Sequence, residues 1–214
     1  MNGPTLNDIM HLSDDNEVKK ALLNAGIGND YDAFCERVED ALIDGVIHME
    51  RMKPQFAGLG EDALTGILAF GLEMKGFAAD HDSYRNGHCD LLVKQGRFEW
   101  YGEAKLDKGP QYTLEGFRQL CDRYAPGSGY ARRGGLIVYT QKSNKLEVLN
   151  DWVAKIKADY EHATVFSPVC LNTLTSMSSH SHPATGLPMR VRHYPISFFH
   201  QPTDKSARSR KSSS

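Results

Sequence analysis

Asp90, Glu103 and Lys105 combine residue types and spacing that could do chemistry. The surrounding stretch, residues 87–106, reads as two short strands over 90–93 and 98–106, joined by a turn over 94–97 that contains Gly96. Side chains alternate between the faces of a strand. Phe98, Trp100, Gly102, Ala104 and Leu106 therefore make one face, apolar and core-like, and Glu99, Tyr101, Glu103 and Lys105 make the other. Glu103 and Lys105 thus point the same way from a segment whose back is buried. Asp90, at the head of the neighbouring strand, can bring a second carboxylate to the same spot. Such charges beside a core are costly unless paired or bound to a metal.

Two convergent carboxylates and a lysine suit hydrolysis of a phosphodiester assisted by a hard cation. Mg²⁺ takes oxygen ligands, usually one or two carboxylates with water and substrate phosphate completing the shell. Asp90 and Glu103 would supply those oxygens, together with the main-chain carbonyl of Ala104. Lys105 would hold or deprotonate the attacking water and offset charge building on the phosphate. The same residues allow a plainer reading. Glu103 and Lys105 can form an ordinary same-face ion pair on a half-exposed strand, worth little, with Asp90 closing a turn.

Asp90 followed at a distance by Glu103-Ala104-Lys105 resembles the metal site of the PD-(D/E)XK nuclease superfamily, the restriction-endonuclease-like fold. In that family a proline often precedes the first acid; Cys89 stands there in this chain. The family also places an acid on a helix before the first strand. A helix over 61–75 carries Leu64, Ile67, Leu68, Gly71 and Leu72 as a core-facing stripe, and Glu61 lies one turn before Leu64 on that stripe. The competing explanation for Glu61 is that acids are favoured in a first helical turn by the macrodipole. Many relatives carry a glutamine, often with a tyrosine four residues on, in the helix after the Glu-x-Lys strand. Gln119 matches, on a helix over 112–124, but Arg123 occupies the tyrosine's place and Tyr124 is one residue late. Arg123 becomes a candidate phosphate contact, or the pair is simply a solvated helix flank.

The resemblance implies an α/β restriction-endonuclease-like core, a mixed β-sheet flanked by helices, over residues 56–200. An N-terminal helical extension (1–55) precedes it, and a disordered basic tail (201–214) follows. It implies a Mg²⁺-dependent nuclease, with Mn²⁺ as substitute, acting on DNA more readily than RNA. The catalytic set would be Asp90, Glu103, Lys105, Glu61 and Gln119, and the metal ligands Glu61, Asp90, Glu103 and Ala104. The rival within the same fold is a non-catalytic nucleic-acid or protein-binding subunit. A homodimer or a companion subunit is compatible with either.

The positioning elements fill in around this site. The 214 residues suffice for one domain with a proper core, and 40% apolar and 24% charged residues are ordinary for a globular protein. No apolar run approaches the roughly 20 residues of a membrane span. The N-terminus lacks a signal-like flank, so no membrane partner is expected. Cys35, Cys89, Cys121 and Cys170 are scattered and read as reduced core thiols of a cytoplasmic protein. Net charge is −2, yet acids crowd residues 1–50 while Arg190, Arg192, Lys205, Arg208, Arg210 and Lys211 dominate 181–214. A basic end facing a phosphate backbone, with the acidic end turned away, is one consequence; solubility alone is the other.

Helices are expected over 13–23 and 31–51, the acids of the second lying mainly on its solvent face. A strand over 77–84 should pair antiparallel with 90–93. The glycine-rich stretch 126–135, with Tyr130, Arg132 and Arg133, reads as a basic loop able to clamp a strand, or as a long connection. A buried strand over 136–140 follows, then a helix over 146–160, a strand over 163–171, a loop over 172–188, and a last strand over 189–199, placed on an edge. His180 and His182 invite zinc, but no third ligand with suitable spacing follows.

Overall fold

A computed structural model describes residues 30–84 and 87–203. The helix expected over 13–23 and the tail beyond residue 203 lie outside the described residues.

The chain forms an α/β layer structure in which a seven-stranded mixed sheet lies between helices. Helix α1 spans Tyr31–Arg51, with Asp30 as N-cap accepting from the Asp32 N–H. A single turn, α2 (Lys53–Phe56), follows, and α3 runs Glu61–Met74. Strands β1 (Ala78–Tyr84), β2 (His88–Gln95) and β3 (Phe98–Leu106) form an antiparallel meander. Helix α4 (Pro110–Arg118) runs directly into a π-helical turn over Gln119–Tyr124. Then come β4 (Arg133–Thr140), α5 (Lys145–Asp159), β5 (Val165–Phe166), β6 (Ser176–Ser181) and β7 (Pro188–Ser197). The strand order is β1-β2-β3-β4-β7-β6-β5, with β3, β4 and β7 mutually parallel.

Apolar side chains fill both sides of this sheet. Phe34, Val38, Leu42, Leu64, Leu68 and Leu72 of α1 and α3 pack on Leu91, Trp100, Ala104, Ile137 and Tyr194. On the opposite side Leu114, Phe117, Leu149, Trp152 and Ile156 of α4 and α5 cover Leu92, Tyr101, Leu136, Val138 and Val191. Burying both faces is what parallel strands require. It also corrects the half-exposed picture of β3: Tyr101 and Glu103 are each 1% exposed.

Several expectations fail for identifiable reasons. The serine-rich stretch read as loop contains β6, held in the sheet by its ladder to β7 and by tertiary contacts such as His193 Nε2 to Ser178 Oγ at 2.8 Å. With β6 beside it, β7 is interior rather than an edge. The strand expected over 163–171 shrinks to Val165–Phe166, and Cys170 is exposed, not a core thiol. His180 and His182 are no metal pair: His180 Nε2 lies 3.4 Å from the Tyr160 hydroxyl and His182 Nε2 is 3.0 Å from the Ala125 carbonyl.

Among the described residues the acidic and basic ends are not kept apart. Glu39 on α1 is fully buried, and Arg133 holds it with two bonds, Nε to Oε1 at 2.7 Å and Nη2 to Oε2 at 3.0 Å. Arg192 Nε lies 2.8 Å from the second oxygen of Glu39, and Asp32 pairs with Arg132 and Arg190. Acids of α1 thus meet the arginines of β4 and β7 instead of facing away, and Arg133 is an internal anchor, not a strand clamp. Among the described residues no helix is long and apolar enough to cross a membrane.

Candidate active site

The β2–β3 ladder stops at Leu91 opposite Gly102, although β3 continues to Leu106. The β1–β2 ladder is interrupted at the same point: His81 pairs with Leu91 and Ser83 with Cys89, while Asp82, between them, has φ +55°. Asp90 sits at this double break. Its side chain replaces the missing ladder bond, the Ala104 N–H donating to Asp90 Oδ2 at 2.8 Å. Two residues on, the Leu106 N–H donates to Glu61 Oε2 at 2.7 Å. The edge of β3 abandoned by β2 is therefore capped by two carboxylates, one from a strand and one from the first turn of α3. In an extended strand the N–H and C=O of one residue point to the same side, so the Ala104 carbonyl faces this opened edge.

Lys105 reaches the same place from the other face. Its ammonium forms a close ion pair with Glu103 Oε1 and stands 3.9 Å from both Asp90 Oδ2 and Glu61 Oε1. Glu61, Asp90, Glu103 and Lys105 are thus gathered around one nitrogen. The Glu103 side chain is 1% exposed and that of Lys105 10%, whereas Asp90 and Glu61 remain about a quarter open, at 24% and 26%. One end of the cluster is sealed and the other meets solvent.

The electrostatics follow. Burial, then the charge of Asp90, pushes the Glu103 carboxyl up to about 8. Burial also raises Asp90. For Lys105, burial alone would favour the neutral amine, but the carboxylates of Glu103, Asp90 and Glu61 outweigh it and hold the group as an ammonium. Glu103 Oε2 is buried with no N–H or hydroxyl donor beside it, and the Glu103 carboxyl, when protonated, shares its proton with Asp90. An orphan carboxylate oxygen in a dry site is expensive. With one ammonium among three carboxylates, the cluster lacks positive charge.

A hard divalent cation fits that deficit. Among the described residues no trio of His, Cys, Asp or Glu encloses a metal ion by itself; Lys105 lies among the carboxylates instead. Mg²⁺, however, is ordinarily held by one or two carboxylates plus waters and substrate, not by a closed protein cage. The unpartnered Glu103 oxygen and the half-open Asp90 form a donor set of that kind.

Helix α4 closes the sealed end, and here sequence reasoning missed two features. Gly116 lies against the site: a Cβ there would stand 2.9 Å from Lys105 Cγ and 3.1 Å from Cε. Only a glycine lets the helix approach the lysine stem so closely, and the apolar stripe gives no hint of it. The second is the π turn, closed by the Ala125 N–H bonding to the Leu120 carbonyl at 3.1 Å. A π turn accommodates one extra residue and is frequent at functional sites. Tyr124 is 5% exposed, and its phenol is raised by burial and then by the charge of Glu103. The carbonyl oxygen of the Gln119 side chain is buried without a hydrogen-bond partner. Arg123 leaves the expected flank and lies against the backbone of Gly87, where any Cβ would meet its Nε at 2.7 Å.

No protein-family profile, curated protein or solved structure matches this chain.

Proposed function

We propose that this protein is a divalent-metal-dependent nuclease built on a PD-(D/E)XK-type site, hydrolysing phosphodiester bonds in DNA. The observation that carries the reading is the meeting of Glu61, Asp90, Glu103 and Lys105 where two ladders break, with one buried Glu103 oxygen left unpartnered. The order α3, three antiparallel strands, α4 and a parallel strand is the layout of a restriction-endonuclease-like core and supports the same reading.

Asp90 and Glu103, with the Ala104 carbonyl and Glu61 at the open edge, would hold Mg²⁺ or Mn²⁺. The bound cation supplies an acidified water and charge neutralisation at the phosphate. The water oxygen bonds to phosphorus, the ester oxygen departs with the bonding pair, and the water proton leaves through the carboxylates to solvent. Of the two roles open to Lys105, the geometry favours the electrostatic one. Its surroundings keep it an ammonium, suited to donating hydrogen bonds to the charge-gaining phosphate oxygens rather than to accepting a proton.

A non-catalytic role for the cluster has one observation in its favour: Asp90 and Glu61 both cap strand N–H groups, a sufficient structural reason to keep them. It leaves the deep burial of Glu103 beside two other acids without a purpose. Incubating plasmid, linear duplex, single-stranded DNA and RNA with the protein and Mg²⁺ separates the two. Cutting by the parent that disappears with EDTA, with Asp90→Ala and with Lys105→Ala supports the nuclease. No cutting of any substrate with either Mg²⁺ or Mn²⁺, or equal cutting by parent and variants, ends it.

A further inference from the structure

Immediately beyond the capped edge of β3, at the carboxyl ends of parallel strands β3 and β4, lies a cavity of about 360 Å³. We infer that it receives one unpaired nucleobase of the substrate, beside the phosphate being cut, and that the enzyme therefore acts on single-stranded, overhanging or flapped DNA in preference to intact duplex. This inference rests on the nuclease reading for its biological sense, but the binding site stands on its own geometry.

Position comes first. Leu106 lines the cavity with its side chain, while its N–H is held by Glu61 of the carboxylate cluster. From Ala104, whose N–H holds Asp90, to Leu106 is two residues of strand, about 7 Å. A phosphate at the carboxylates would place the attached nucleoside within reach of the cavity. Volume comes next: about 360 Å³ lies at the small end of the range for ligand pockets.

The chemistry of the walls is selective. Leu59 and Leu106 present the apolar surface, over a floor of the buried Leu64, Tyr139 and Phe198, whose two rings stack on each other at 6.1 Å. The charges are confined to Asp107, Lys108 and Lys142. Asp107 is already engaged by the Thr140 hydroxyl at 2.7 Å and by Lys142, and the Lys108 ammonium rests 4.7 Å from the centre of the Tyr112 ring. An apolar slot with ammonium groups at its margin suits a flat aromatic group carried on an anion, the combination a nucleotide offers.

The walls also predict what is not read. The Gln141 amide nitrogen donates to the Ala57 carbonyl at 2.6 Å and the Thr140 hydroxyl to Asp107. Those donors are committed within the protein, so the slot holds a base by its faces rather than by its hydrogen-bonding edge. Purines and pyrimidines should be accepted alike. A base in the slot must have left its stack, which costs least where it is already unpaired.

The test is calorimetric titration of the full chain in EDTA with thymidine 5′-monophosphate and with deoxyadenosine 5′-monophosphate. Inorganic phosphate and 2-deoxyribose 5-phosphate serve as controls. Expected are saturable binding of both nucleotides at similar affinity and none in the same range for the controls. Leu59→Trp, at a position 38% exposed and so tolerant of bulk, should fill the slot and weaken binding at least about tenfold. Lys108→Ala should weaken it several-fold with no loss of melting temperature. Absence of nucleotide binding, equal binding by Leu59→Trp, or equal binding of phosphate alone would overturn the proposal. Nucleotide binding without any Mg²⁺-dependent cutting would leave the pocket standing and remove the nuclease instead.

Discussion

Two glutamates of this protein are almost equally hidden, Glu39 at 0% and Glu103 at 1% exposure, and they live in opposite circumstances. Glu39 receives Arg133 through two bonds and has Arg192 at its second oxygen. Its charge is matched by two guanidinium groups and each of its oxygens accepts a hydrogen bond. Glu103 has one ammonium, shared with two other acids, and one oxygen with no donor beyond a proton it can share with Asp90. Burial of a charge is therefore a poor mark of function by itself. Incomplete satisfaction, at a place where the sheet opens, is the better one. The Glu39 cluster fastens α1 to the ends of β4 and β7; the Glu103 cluster has capacity left for a cation and a phosphate.

The comparison is most sharply tested through activity. Asp90→Ala or Lys105→Ala should lower Mg²⁺-dependent cleavage by about 10³-fold or more in single-turnover assays. Arg192→Lys, which keeps the charge beside Glu39, should leave the rate nearly intact; a comparable fall would mean that the two clusters are not functionally distinct.

Stability should respond in the reverse sense. Glu39→Ala leaves the buried Arg133 with only the outlying Asp32 and Glu36 and should cost about 3 kcal/mol in denaturant unfolding. Glu103→Gln removes a charge the metal-free fold does not fully compensate, and should be neutral or stabilising in EDTA. Destabilisation of both by the same amount would erase the distinction.

The pH dependence carries a further contrast. Glu103 has a folded-state pKa of about 8, above the ordinary glutamate value of 4.5. Between those values the folded state binds more protons than the unfolded one, so metal-free stability should fall as pH rises from about 4.5 to about 8. Lys105, raised from 10.5, acts only in the alkaline range above this window. Mg²⁺ should flatten the fall, and Glu103→Gln should remove much of it. Melting temperatures across this range in EDTA and in Mg²⁺ measure both; a rise with pH in EDTA would contradict the picture.

The smallest effect is steric. Gly116→Ala should displace the Lys105 stem by a few tenths of an ångström and reduce kcat about tenfold with little change in KM, because misplacement of an acting group costs rate more than binding. An unaltered kcat would show that Lys105 has slack the packing does not suggest.

Much of the site was legible because periodicity fixes direction. The two-residue repeat of Phe98–Leu106 puts Glu103 and Lys105 on one side, and the helical repeat through Leu64, Leu68 and Leu72 aims Glu61 at the sheet. Helix Tyr31–Arg51 was legible from Phe34, Val38, Leu42 and Met49 for the same reason. Less legible were features whose cause lies elsewhere in the chain. Ser176–Ser181 is a strand because β7 offers it a ladder, not because serine favours one. The solvent face assigned to the acids of α1 was wrong for Glu39, since its partners stand 94 and 153 residues away.

What the amino-acid order determined by itself is the set of local directions: which carboxylates and which lysine could be aimed at one point. Tertiary structure alone decided that the ladders part at Asp90, that α4 comes down on Gly116, and that a π turn buries Tyr124 within reach of the Glu103 charge. Those are decisions of packing, because an opened strand edge, a helix in contact with a side-chain stem and an extra residue in a turn persist only when neighbouring elements compensate the bonds they forgo.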